Sequence, residues 1–177
     1  MNKSTKNERP EVWLRGPIEG IPDQLQPAAH ALVQSTEDTK KYMDGFPENL
    51  LWEKPSGRAS VGFHLQHLTG VLDRLMTYAK AESLSEEQFE YLRNEGNADT
   101  KTTSAQLIEN FKQKVDEAIP YFKTLNGSDL MENRSVGRKK LPTTILGLLF
   151  HAAEHSQRHV GQLLVTVSVL KNSEFSE

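Results

Sequence analysis

The chain has 177 residues, a formal net charge of −3 and no cysteine. This length fits one domain with a sizeable core, and the missing cysteines exclude disulfides, thiolate zinc sites, iron–sulfur clusters and a cysteine nucleophile. Mixed charges, a polar start and the lack of an apolar run near the ~20 residues of a membrane span predict a soluble cytoplasmic protein that binds neither nucleic acid nor membrane.

The proline- and glycine-rich stretch 1–22 predicts an irregular N-terminal arm, in which Val12, Trp13 and Leu14 could pack on the folded body. Four longer segments then carry apolar residues at the spacing of amphipathic helices. These segments are helix A at about 24–43, helix B at about 59–80, helix C at about 104–125 and helix D at about 143–170.

Two shorter features lie between these helices. Ser85 and Gln88 fit the capping-box pattern, which predicts a short helix between B and C that ends near Gly96. The sequence does not decide whether this insertion, residues 83–100, is a lid or a strut. Between C and D we expect a loop with a small extended pair around Gly137.

The one dense basic run, Arg138-Lys139-Lys140, falls in that second loop. A solvated turn before a helix explains so short a run better than a nucleic-acid site does.

Four amphipathic helices without a convincing strand pattern predict an all-α protein, a four-helix bundle with a short extra helix between the second and third helices. The predicted organisation is an irregular arm at 1–22, the bundle at 23–170 and a frayed C-terminal tail at 171–177.

Five of the six histidines fall in two of the predicted helices: His64 and His67 in helix B, and His151, His155 and His159 in helix D. Residues four apart lie on one face of a helix, so consecutive histidines of helix D could chelate one ion. Neutral imidazole binds zinc, nickel and related divalent ions, and a catalytic site typically has three protein ligands. The pattern predicts a metal site between helices B and D.

The segment His151-Ala-Ala-Glu154-His155 also matches H-x-x-E-H, the inverted zincin pattern. In that interpretation Glu154 would act as general base. Such short motifs occur often by chance, and the third ligand would have to come from helix B, so we consider a peptidase the weaker alternative.

Several segments resemble the DinB-like superfamily, which includes the YfiT-type metal-dependent hydrolases and the bacillithiol transferases. The resemblance covers most of the chain and implies a four-helix bundle. It rests on the stretch 13–17, on Ser60 to His67 with the following leucine, on Asp73-Arg74-Leu75 with Tyr78, and above all on His155-Ser-Gln-Arg-His159-Val-Gly161-Gln162-Leu163, which looks like the family signature H-x-x-x-H-x-G-Q.

The resemblance implies a histidine triad that holds a divalent metal, Zn²⁺ or Ni²⁺. Its ligands would be His67, seven residues after Ser60, and the two histidines of the signature, His155 and His159.

Three further residues are secondary candidates around this site. His64 and His151 each lie one turn before an expected ligand, and either could line the pocket or replace a ligand. Gln162 follows His159 by three residues and could tune the site from behind the ligands, although an ordinary surface amide is an equally good interpretation.

In relatives such a site supports thiol-S-transfer with a low-molecular-weight thiol as co-substrate, and hydrolysis is the close alternative. The competing hypothesis is a non-catalytic protein, either a metal-stabilised bundle or a stress-associated binding protein. We expect a small-molecule substrate and, because helix D is long and apolar, a homodimer. The catalytic residues, metal, substrate and reaction stay open.

Overall fold

The computed structural model of the chain describes residues 9–99 and 101–174, so the start of the predicted arm, 1–8, and the end of the predicted tail, 175–177, lie outside the described residues. Five α-helices and one antiparallel pair of strands account for the regular structure. They are α1 (Gln26–Tyr42), α2 (Val61–Ala79), α3 (Glu86–Asn94), α4 (Ser104–Thr124), β1 (Asn133–Val136), β2 (Leu141–Thr144) and α5 (Ile145–Glu174).

The four long helices form the predicted bundle. α5 packs against α1 and α2, α4 packs against the same two helices, and the short α3 packs on α2. Each long helix sends an apolar stripe into one core, as Leu32, Leu72, Phe111 and Leu149 illustrate, since none of these side chains reaches solvent. The prediction of an all-α bundle with a short extra helix between its second and third helices is confirmed.

Local hydrogen bonds set the start of two helices. The Ser60 hydroxyl accepts the Phe63 N–H at 3.1 Å and caps α2 just before its histidines. Ser85 and Gln88 form the predicted capping box, which opens α3.

The structure differs from the sequence predictions at both ends. In the arm, Val12 is buried as expected, but Trp13 and Leu14 are exposed, so the prediction that they pack on the body is wrong. This segment is instead fastened by Arg15, whose guanidinium binds both carboxylate oxygens of Glu37 on α1. At the other end α5 continues four residues past the predicted limit.

The loop between α4 and α5 contains the predicted extended pair, a hairpin of β1 and β2 around Gly137. Among the described residues, no helix combines the length and the apolar character needed to cross a membrane.

Candidate metal centre

Three histidines from two helices converge between α2 and α5. One nitrogen each of His67, His155 and His159 lies within 4.8 Å of the others, and His67 Nε2 is 3.0 Å from His155 Nε2. Nitrogens bound to a tetrahedral zinc ion at about 2.0–2.1 Å lie roughly 3.3 Å from one another. The three rings therefore form a group that could hold a metal ion, and they are the three that the family resemblance implies.

The ring of His67 is fixed on two sides. Its Nδ1 lies 2.6 Å from Glu95 Oε2, and the other oxygen of Glu95 accepts a 2.7 Å hydrogen bond from Arg74 Nη1. Phe63 stacks on the ring with centroids 5.2 Å apart. Because a carboxylate paired with arginine is ionised and can only accept, His67 donates from Nδ1 and keeps the lone pair of Nε2 free toward His155.

Glu95 reaches this position because α2 leaves room for it. A Cβ on Gly70 would lie 2.3 Å from Glu95 Oε1, which is closer than two non-bonded atoms can approach. The end of α3 is tied to α2 by two hydrogen bonds at Gln66: the Gly96 N–H donates to its side chain at 2.7 Å, and the Tyr91 hydroxyl donates to its carbonyl at 3.1 Å. The insertion that carries α3 thus braces the centre.

His64 contacts the triad from the opposite side. It is 4% exposed, and its Nδ1 lies 3.2 Å from Nδ1 of His159. This contact occupies one nitrogen of His159 and leaves the other for a ligand. His64 belongs to neither of the two groups of three potential ligands found among the described residues.

Burial lowers the pKa of three imidazoles of this cluster. It lowers the pKa of His159 to about 3, with the nearby His67 and His155 adding to the effect, and lowers the pKa of His64 to about 4. The pKa of His155 is also lowered, first by burial and then by the charge of His67. Since metals bind neutral imidazole, these rings need not lose a proton at pH 7.

One atom of the cluster lacks a protein partner. Nδ1 of His155 is buried and makes no hydrogen bond. Buried polar atoms are usually paired, so the protein groups alone leave this hydrogen-bond network incomplete.

The H-x-x-E-H residues form a second group at the rim, where ligand atoms of His151, Glu154 and His155 lie within 4.8 Å of one another. Arg158 Nη2 binds both oxygens of Glu154, at 2.6 and 2.7 Å, and His151 Nδ1 is 2.8 Å from its Oε1. Burial is the largest single effect and would raise the pKa of Glu154, but the hydrogen bonds and charges of Arg158 and His151 together outweigh it and the pKa is lowered. An anion so paired is a poor general base, which weakens the peptidase interpretation.

Besides His64, the other two secondary candidates also lie outside the triad. His151 is exposed at the rim, and Gln162 is an exposed residue that lines a cavity of about 570 Å³ together with His64. The supporting role expected for Gln162 stays a prediction. Glu95 was not predicted from the sequence: it lies 28 residues from His67, and no spacing rule connects the two.

Comparison with known proteins places this geometry in context. The family model of the DinB superfamily matches residues 31–163, a range that contains the whole triad. A crystal structure of a protein from Streptococcus pneumoniae is similar with a TM-score of 0.63 at 11% sequence identity, covering 85% of this chain and 91% of that chain. At this identity the likeness concerns the fold alone. No curated protein matches the chain.

Proposed function

The chain belongs to the DinB superfamily, and from that premise we propose that it is a metal-dependent enzyme acting on a small molecule. The proposed ligands of a divalent ion, Zn²⁺ or Ni²⁺, are His67, His155 and His159. The observation that most supports this assignment is the approach of three imidazoles from α2 and α5, with one nitrogen of each within 4.8 Å of the others.

The proposed reaction is thiol-S-transfer. When bound, the metal would act as a Lewis acid that lowers the pKa of a thiol. The thiol proton leaves to solvent, the sulfur forms a bond to the electrophilic carbon of the second substrate, and the leaving group departs with its electron pair. The chain has no cysteine, so the sulfur belongs to a low-molecular-weight thiol. Hydrolysis, with water in place of the thiol, is the close alternative.

The protein's own part is to present three lone pairs in a fixed geometry. Glu95 and Arg74 hold His67 in one tautomer, and His64 holds one nitrogen of His159. Two orienting contacts on the far side of the ligands favour a site kept rigid before any substrate arrives.

A structural metal clamp is the second candidate, and the position of His64 is the observation that favours it. His64 is a buried imidazole in contact with His159. As a fourth ligand it would close the coordination shell, and a closed shell is typical of structural zinc. Structural and catalytic roles therefore differ in whether His64 is needed for metal binding.

The metal assignment is tested by elemental analysis of the purified wild type and of His67→Ala, His155→Ala and His159→Ala. We expect about one ion per wild-type chain and little in each variant, because two imidazoles hold a divalent ion far less tightly than three. His30→Ala, on α1, is the matched control and should keep its metal. Equal metal in all variants would refute the ligand assignment.

The chemistry is tested by turnover of bacillithiol, glutathione or mycothiol with a model electrophile, with and without a chelator. Turnover that the chelator removes supports the enzyme. Metal that binds without turnover across the panel, and that is lost in His64→Ala, supports the clamp.

We also propose a homodimer in the cytoplasm. The dimer is supported by Leu164, Val165 and Val169, which are exposed apolar residues on α5. Sedimentation that finds only a 20.0 kDa monomer would contradict it.

A further inference from the structure

A groove of about 930 Å³ lies between α2, α3 and the β1–β2 hairpin, beside the candidate metal centre. Its near end is lined by Val71, one helical turn after His67, and by Arg74, which holds the carboxylate that orients His67. The Arg74–Glu95 pair thus links this end of the groove to the far side of His67, and none of the three proposed metal ligands lines the groove. Its volume falls in the range of roughly 300–1,000 Å³ that small-molecule sites occupy.

The walls of this groove are largely apolar. α2 contributes Leu75 and Tyr78, α3 contributes Phe89 and Leu92, and the hairpin contributes Val136. Leu92 is 43% exposed, so this apolar side chain of the groove remains open to solvent. Three separate elements thus turn apolar side chains toward one space that no described residue fills.

The hairpin side of the groove is basic. Arg134, Arg138 and Lys140 line it, and Glu82 is the one carboxylate among the lining residues. Arg134 is paired with Glu132 at 3.1 Å. Within the described part of the chain, Arg138 and Lys140 have no carboxylate partner, and the Arg138 guanidinium lies 6.0 Å from the Phe89 ring centroid.

Part of the basic run Arg138-Lys139-Lys140 lies on this groove, which is a more specific position than the solvated turn expected from the sequence. Arg138 and Lys140 line the groove, whereas Lys139 between them does not. Two basic side chains without a carboxylate partner among the described residues, on the hairpin wall of an apolar groove, complement a ligand that has a negative group on an apolar body.

We propose that the groove binds a small organic anion, a carboxylate or a phosphate on an apolar body, with its charged end at Arg138 and Lys140 and its body along the apolar side chains of α2 and α3. This is a binding site separate from the histidine triad, since none of the three proposed metal ligands lines it. From Val71 to Tyr78 the helix rises about 10 Å, which is close to the extended length of octanoate.

The binding test uses the full-length, metal-free protein and isothermal titration with octanoate, octyl phosphate, 1-octanol and inorganic phosphate. We expect at least one of the amphipathic anions to bind about tenfold more tightly than both 1-octanol and inorganic phosphate. Only such an anion both pairs with the basic side chains and buries an apolar body. Tighter binding of octanoate than of octyl phosphate, or the reverse, identifies the charged group.

Charge-matched variants locate the anion. Arg138→Ala and Lys140→Ala should each weaken binding of the preferred anion by about tenfold or more, the usual effect of removing a hydrogen bond to a charged group. Lys139→Ala removes the same charge from the same turn outside the groove and should leave the affinity unchanged. Equal weakening in all three variants would mean diffuse attraction and would overturn the proposal.

A second pair of variants locates the apolar body. Leu92→Ser, in the groove, should weaken octanoate several-fold, whereas Met131→Ser, at an exposed residue outside the groove, should not. Failure of both anions to bind the wild type, or equal binding of 1-octanol, would also overturn the proposal.

A parallel zinc titration separates this proposal from the metal assignment. If zinc binds normally and neither anion binds, the groove proposal is wrong and the metal assignment stands. Anion binding without zinc binding defeats the metal assignment and leaves the groove as a binding site.

Discussion

At the scale of single residues, the centre depends on what lies behind its ligands. An unrestrained imidazole samples two tautomers and several ring orientations, and each unsuitable state reduces affinity for a metal. Glu95 removes this freedom for His67. Its carboxylate is 5% exposed and has a charged partner in Arg74, so the charge is stabilised by the guanidinium and by the His67 N–H.

Replacement of the orienting carboxylate should weaken metal binding without removing a ligand. We expect Glu95→Gln to lower zinc affinity by about 10- to 100-fold, because the amide no longer enforces the Nδ1–H tautomer. Competition with a chromophoric chelator measures this change. Glu90→Gln, an exposed glutamate on the same helix, is the control, and equal affinities in the two variants would disprove the orienting role.

At the scale of elements, α3 contributes one carboxylate to a centre formed by α2 and α5. This contribution requires close contact between α3 and α2, and Gly70 provides the space, since a Cβ there would also lie 2.7 Å from Arg74 Nη1 and 2.8 Å from the Tyr91 ring. In contrast, Gly161 on α5 has no atom within 4 Å of a Cβ position. Gly70 therefore allows a close contact between two helices, whereas Gly161 faces open space.

Substitution of these glycines by alanine should have opposite effects on the free energy of unfolding. Gly70→Ala should destabilise the protein by about 1–3 kcal/mol, as overpacking does, and should also lower zinc affinity by displacing Glu95. Gly161→Ala should stabilise it by about 0.5–1 kcal/mol, because alanine favours helix and meets no neighbour. Urea unfolding of the metal-free variants measures both values, and destabilisation by Gly161→Ala would contradict the open space.

At the scale of the whole molecule, burial of the histidine cluster links stability to pH. The unfolded chain binds protons at these histidines near pH 6.5, whereas folded His64 does so only near pH 4 and folded His159 near pH 3. Between these limits the unfolded state holds more protons, so the metal-free protein loses stability as the pH falls below about 6.5.

Replacement of one of these histidines should reduce the loss of stability at low pH. From pH 7.5 to pH 5, a histidine with a folded pKa of about 4 contributes a loss of about 2 kcal/mol, so His64→Asn should decline less steeply than the wild type by about that amount. Urea unfolding at the two pH values gives the comparison, and His30→Asn is expected to follow the wild type. Parallel curves for His64→Asn and wild type would exclude the linkage.

The spacing of residues along the chain was enough to predict the bundle and a histidine site between α2 and α5, and the family resemblance then selected His67, His155 and His159. A period near 3.6 and the i, i+4 rule act within a single helix, so apolar stripes and the His155–His159 pair can be read without coordinates. The capping box of Ser85 and Gln88 is local for the same reason. That the triad binds metal stays a prediction.

Only the tertiary structure decided which partners meet across helices. Glu95 reaches His67, His64 turns to His159, and Arg138 and Lys140 border a groove, because packing of α3 and the hairpin on α2 brings distant segments together. Packing also decided that Trp13 and Leu14 stay exposed. Side-chain periodicity specifies the face of one helix, whereas the neighbour of that face depends on how all the helices fill a common core.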